Sequence, residues 1–205
     1  MKTIAVPAVI AKTQEELDSI LSRIHGIADR IMLDIMDGEF VDNESLNFDF
    51  TPDPGSEYEA HLMVADPLSW FPRLSRKVSR VIVHAETVDS IDDTVDRARD
   101  RGYECYIAIK PETPATLLKP HLPILDGILV MTVNPGRYGA PFQPDTLDKV
   151  KTIRSWSPDI PIEVDGGMNP ETSKLAKEAG TNIIASGSYI IKSGDVRLSM
   201  NKLVE

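Results

Sequence analysis

Two hydrophobic rhythms alternate along this chain. Short β-branched runs read as strands, and between them lie stretches whose apolar residues recur every three or four positions and read as helices. Thr3 to Val6 opens the series as a strand closed by Pro7. A helix follows, in which Thr13 caps, Glu16 completes a capping box, and Leu17, Ile20, Leu21 and Ile24 share one face. Further strands are predicted at Arg30 to Ile35, Tyr58 to Val64, Arg80 to His84, Glu104 to Lys110, Gly127 to Met131, Ile162 to Val164 and Asn182 to Ala185. Helices are predicted from Asp66 to Lys77 with Pro72 disturbing the middle, from Ser90 to Arg101, and briefly from Thr113 to just before Pro120. Three more run from Asp145 to Ser155, from Asn169 to Gly180 and from Asp195 to Val204. Glu39 to Glu57 holds Pro52, Pro54 and Gly55 without a helical period, so the second helix should be reduced or absent.

Strands and helices in simple alternation, with no linker or low-complexity segment, predict an α/β chain in one domain spanning residues 1–205. The architecture expected is a (β/α)8 TIM barrel with its second helix reduced or absent. A doubly wound open sheet is the alternative. It would place a Gly-rich fingerprint after the first strand, whereas the glycines here cluster after the sixth, seventh and eighth. The formal charge of -10 disfavours a large nucleic-acid or anionic-membrane surface. No apolar run approaches spanning length, and the start of the chain does not read as a signal peptide. The single Cys105, inside a strand-like run, reads as a packing residue of a protein kept in a reducing cytoplasm.

Two strand ends carry a carboxylate into a glycine turn: Ile31-Met32-Leu33-Asp34-Ile35-Met36-Asp37-Gly38 and Ile162-Glu163-Val164-Asp165-Gly166-Gly167. Either alone needs only a residue suited to a turn. In a parallel barrel both fall at the carboxyl end of the strands, where ligands bind. His61, at the end of the neighbouring third strand, should lie near Asp34. Two carboxylates and an imidazole suit Zn, Mn or Fe(II) with positions left open for a substrate oxygen. His84, two residues before Glu86, is a candidate partner behind that site. The turns Asn134 to Gly139 (with Gly136 and Gly139), Asp165-Gly166-Gly167 and Ser186-Gly187-Ser188 let backbone N–H groups approach a phosphate, and Arg137 either adds charge there or decorates the loop. Met36, Met63 and Met131 stand near strand ends, as core filler or as an apolar lid.

Taken in order, Leu33-Asp34-Ile35-Met36-Asp37-Gly38 with Phe40-Val41, His61-Leu62-Met63, Val130-Met131-Thr132-Val133-Asn134-Pro135-Gly136, Glu163-Val164-Asp165-Gly166-Gly167 and Ser186-Gly187-Ser188 resemble the ribulose-phosphate 3-epimerase family over nearly the whole chain. The resemblance implies a metal-dependent barrel isomerase of carbohydrate metabolism that interconverts D-ribulose 5-phosphate and D-xylulose 5-phosphate. It implies Asp34 and Asp165 as acid/base pair and as ligands, with His61, of one divalent ion (Zn, Mn, Fe or Co). His61 and the residues of the glycine turns would contact substrate, and Met36, Met63 and Met131 would line the site. Four positions depart from the pattern: Met32 replaces a further His ligand, Ala8 a Ser, Lys110 an Asn and Ala140 a Gln. Lys110 is expected to compensate with a cation near the substrate, or else to be a rim lysine. Two alternatives stay open: a 3-epimerase for another ketose phosphate such as allulose 6-phosphate, and a barrel that binds a sugar phosphate without turning it over. The expected partner is thus a small sugar phosphate, with no nucleic acid and no membrane, and a homo-oligomer is left open.

Overall fold

Side chains of successive strand residues point to opposite faces, and here the two faces meet different apolar layers. On Arg30–Asp37, Ile31, Leu33 and Ile35 join the large outer core, while Met32 joins a separate inner cluster with Val6, Ala8, Ile82, Tyr106, Leu129 and Met131. Two apolar layers on either side of one sheet fit a parallel sheet covered on both faces, as a barrel wrapped by helices is. The computed structural model, which describes residues 2–53, 55–136 and 139–205, has that form.

Strands β1 (Ile4–Val9), β2 (Arg30–Asp37), β4 (Glu57–Met63), β5 (Val78–His84), β6 (Glu104–Ile109), β7 (Gly127–Met131), β8 (Ile162–Asp165) and β9 (Ile183–Ser186) pair in parallel. Pairing of β1 with both β9 and β2 closes the ring. A two-residue strand β3 (Glu44–Ser45) adds to β2 antiparallel, above the barrel. Around the ring lie helices α1 (Gln14–Ile24), α2 (Ile91–Arg99), α3 (Leu147–Trp156), α4 (Pro170–Ala179), the single turn α5 (Ser188–Ile191) and α6 (Val196–Val204). Their starts follow the sequence: Thr13 accepts from the Glu16 N–H, Asn169 and Thr172 form a reciprocal capping box, and Gly180 ends α4 at φ 111°.

Two predicted helices differ. Asp66 to Lys77 is not an α-helix but two 3-10 turns, Pro67–Ser69 and Phe71–Arg73. Proline at 67 and again at 72 denies the segment the N–H donors of a continuous ladder, and the buried Trp70 and Phe71 cover the barrel in its place. Thr113 to Pro120 is likewise a 3-10 run, Ala115–His121. The missing second helix is borne out among the described residues between β2 and β4. There the buried Leu46 and the half-buried Phe48 and Phe50 pack on the outer core. The Ser45 hydroxyl, accepting from the Ala11 N–H at 3.1 Å, ties that segment to the end of β1. No helix among the described residues is long and apolar enough to cross a membrane.

Candidate active site

Inward parity and ladder register together build the site. Met32, Asp34 and Met36 share the inner face of β2, as do Glu59, His61 and Met63 on β4, and Glu163 and Asp165 on β8. The register sets Asp34 beside His61, Met36 beside Met63 and Met131 beside Asp165. At the carboxyl end of the strands opens a hollow of about 500 Å³ including its mouth. Asp34, Asp165, Met36, Met63, Met131, Gly136, Gly139, Gly166, Gly167, Gly187 and Ser188 all line it, so the positions expected from sequence converge. Arg137 lies outside the described residues. His61 does not line the hollow. Its ring is fully buried and meets the Asp34 carboxylate. His25 and His121 are elsewhere, on Asp53 and Asp92.

The two aspartates of the β2 motif do different work. Asp37 accepts from the N–H groups of Glu39, Phe40 and Ala65, which locks the loop above the strand. Asp34 is left facing the hollow, its Oδ1 at 3.0 Å from His61 Nδ1. On β8, Thr132 donates to the carbonyls of Asp165 and Gly166, at 2.9 and 2.6 Å, and pins the glycine turn. Gly166 sits at φ 112°, where a Cβ would come within 2.3 Å of Val133 Cγ2. Only glycine meets both demands.

Donor atoms of Asp34, His61 and Asp165 all lie within 4.8 Å of one another. Burial, and then the like charge of Asp34, push the Asp165 carboxyl up to about 7, with His61 opposing. Burial alone would lower His61, but the carboxylates of Asp34, Asp165 and Glu59 outweigh it and hold the imidazole above its ordinary value. Crowded anionic oxygens balanced by a single imidazole are the kind of donor set that a divalent cation fits. Met32 is fully buried within the inner apolar cluster and absent from the wall.

Behind His61 the polar contacts continue. His61 Nε2 meets His84 Nε2 at 2.9 Å, and His84 Nδ1 meets Glu86 Oε2 at 3.3 Å. The other Glu86 oxygen accepts from the Lys110 N–H at 2.9 Å and from the Thr113 hydroxyl. Burial drives His84 down to about 4. These contacts hold Glu86 down to about 2 against the opposing effect of its own burial. Lys110 does not reach the hollow. Its ammonium stands 3.8 Å from the centre of the Phe40 ring, which also covers His84.

At the opposite end of the barrel lies a charge cluster that the sequence reading missed. Arg80 Nη1 donates to Glu59 at 2.8 Å and stands 4.0 Å from Glu163, over the face of Tyr106. Three oxygens of Glu59 and Glu163 accept no hydrogen bond from a charged or backbone donor among the described residues, and burial together with Glu59 pushes the Glu163 carboxyl well up. The available signal was parity, since Glu59 and Glu163 precede His61 and Asp165 by two and so point inward. Ile10, Val133 and Met168 also line the hollow and were not anticipated.

The model of the ribulose-phosphate 3 epimerase family matches residues 4–191. The chain belongs to that family. As a ribulose-phosphate 3-epimerase family member it is an isomerase by class. It is 32% identical to the ribulose-phosphate 3-epimerase of Eremothecium gossypii over 95% of this chain and 89% of the relative, and 31% identical to that of Bacillus subtilis over 87% of both. Solved structures similar to this epimerase-family barrel include KGPDC from Streptococcus mutans (TM-score 0.70, 12% identity, 99% of this chain and 96% of that one). A 3-hexulose-6-phosphate synthase is another (TM-score 0.70, 15% identity, 98% of both). At such identities these neighbours speak to the barrel alone. Within the epimerase family pattern, Ala8 and Ala140 stand on the wall of the hollow where polar side chains were expected.

Proposed function

We propose that this protein inverts C3 of a ketopentose phosphate, converting D-ribulose 5-phosphate to D-xylulose 5-phosphate. The reading is carried by one observation: Asp34 and Asp165 face a common hollow in the same cluster as His61. Inversion beside a ketone removes the C3 proton from one face and returns a proton to the other, so it needs one ionised and one protonated carboxyl group. The pair is suited to that division. Asp165, held near 7 by burial and by its neighbour, carries the proton to be delivered, and Asp34, beside the His61 imidazole, takes the one removed. The reverse reaction exchanges the roles.

Asp34, His61 and Asp165 would hold one divalent ion, which supplies Lewis-acid stabilisation of charge on the sugar oxygens when bound. Gly166, Gly167, Gly187 and Ser188 would take the phosphate through backbone N–H groups and the serine hydroxyl, with Gly136 and Gly139 across the mouth, so that C3 is fixed between the carboxylates. Met36, Met63 and Met131 keep the reacting end apolar and exclude water.

Exchange of solvent deuterium into C3 of ribulose 5-phosphate by the metal-loaded protein tests the reading. The unmutated chain should exchange it, and Asp34→Asn or Asp165→Asn should each lower the rate by about 100-fold or more. No exchange by the unmutated chain would leave a barrel that binds sugar phosphate without turnover. Alanine at positions 8 and 140 widens the wall and favours one second reading, a longer ketose phosphate such as allulose 6-phosphate. A larger kcat/KM for that sugar would decide for it.

A further inference from the structure

We infer that Asn43, which stands outside the hollow, is a positioning residue for the substrate. Its side chain ties the turn Asn134-Pro135-Gly136, part of the wall of the hollow, to the anchored segment after β2, and so sets how firmly the distal end of the substrate is gripped. The inference rests on the proposed sugar-phosphate reading of that hollow.

The amide is oriented locally. Asn43 Oδ1 accepts from the Glu44 N–H at 3.0 Å, which turns Nδ2 the other way, onto the Gly136 carbonyl at 2.7 Å. These residues are 93 apart in the chain, so the bond joins two separate walls of the barrel mouth. Packing repeats the tie. Gly136 is buried at φ 113° and lies so near Val41 that a Cβ on it would come within 2.9 Å of the Val41 Cβ. The segment that carries Val41 and Asn43 is held at both ends. At one, Asp37 accepts from three N–H groups; at the other, Ser45 pairs with Met36, and the Leu46 N–H donates to the Ala11 carbonyl at 2.8 Å. On the turn's own side, Gln143 donates to Asn134 at 3.1 Å in an exposed contact. Rigidity therefore passes from the β2 segment to the turn. With the turn facing the phosphate across the mouth, its contacts fall on the part of the substrate that does not change during proton transfer. They strengthen ground state and transition state alike, and so act on KM.

Asn43→Leu tests it, since leucine keeps the size of the side chain and loses the donor. KM for D-ribulose 5-phosphate is read from initial rates of deuterium incorporation at C3 by the metal-loaded protein. It should rise about 3- to 10-fold, the worth of one neutral hydrogen bond, while kcat stays within about two-fold, a split that a merely structural role would not produce. Val41→Ala loosens the packing on Gly136 and spares the hydrogen bond, so it should raise KM about two- to threefold. A thermal midpoint close to that of the unmutated chain will show that Asn43→Leu folds; should it not fold, Val41→Ala decides alone. An unchanged KM in the deciding variant, or a loss carried by kcat, overturns the inference and leaves the epimerase reading standing. If the unmutated chain exchanges no deuterium, the epimerase reading fails and the dissociation constant of ribulose 5-phosphate, measured by calorimetry, takes the place of KM. The same rise in the variant then upholds the inference, and an equal value overturns it. Absence of both turnover and binding in the unmutated chain overturns both.

Discussion

Arg80 offers the sharpest test of the barrel's lower half. Replacing it with methionine keeps most of the stem's volume and removes the charge that balances the Glu59 carboxylate, buried to 0% exposure beside the equally buried Glu163. With an effective dielectric near 20, the 2.8 Å contact to Glu59 represents a gross attraction of roughly 6 kcal/mol; the 4.0 Å approach to Glu163 adds little, because burial and the neighbouring Glu59 push that carboxyl well up toward its protonated form. The nearest remaining cation, Arg30, is 4.0 Å from Glu59 and recovers part of that attraction. Against the loss stands the desolvation that Arg80 no longer suffers, so the net cost should be that of a broken buried pair, about 3–5 kcal/mol. In a chain of this length that corresponds to a thermal midpoint lowered by roughly 10 °C. Scanning calorimetry with urea unfolding as a second measure would read it. Replacing Arg80, Glu59 and Glu163 together by Met, Leu and Leu should recover most of the loss, because no uncompensated charge then remains. Arg80→Met costing under about 1 kcal/mol would refute the premise that the buried Glu59 carboxylate depends chiefly on the Arg80 guanidinium.

Two further outcomes follow from the site. Gly166→Ala forces an L residue to φ 112° and sets a methyl 2.3 Å from Val133, so it should destabilise by about 2–4 kcal/mol and depress deuterium exchange. Adding Val133→Ala should relieve the clash and not the backbone strain, and full recovery of the thermal midpoint in the double variant would contradict that partition. Lys110→Met removes an ammonium that lies over Phe40 outside the hollow, so it should cost about 0.5–1 kcal/mol of stability and leave kcat/KM within a few-fold. A loss of tenfold or more in kcat/KM would restore the idea that this cation serves the substrate.

The order of elements, the inward placement of Asp34 and Asp165 and the missing helix after β2 were all legible in sequence, because each depends on local rules. Strand parity fixes which residues share a face, and proline and glycine fix where the chain turns. For the same reason the failures were local conflicts settled by packing. Asp66 to Lys77 has enough apolar residues for a helix, yet Pro72 and the burial of Trp70 and Phe71 reduce it to two short turns. What no local rule could decide was which charged groups meet once the ring closes. Asp34 and Asp165 are far apart in the chain, and only pairing of β1 with both β2 and β9 brings them to one hollow. Closure likewise put Glu59 and Glu163 around Arg80 at the other end. It also set His84 against His61, and it carried Lys110 to the Phe40 ring and away from the hollow. Sequence thus determined the strands and the residues each would offer to the interior. The tertiary structure decided their neighbours, since contact across a barrel is set by closure and register and not by spacing along the chain.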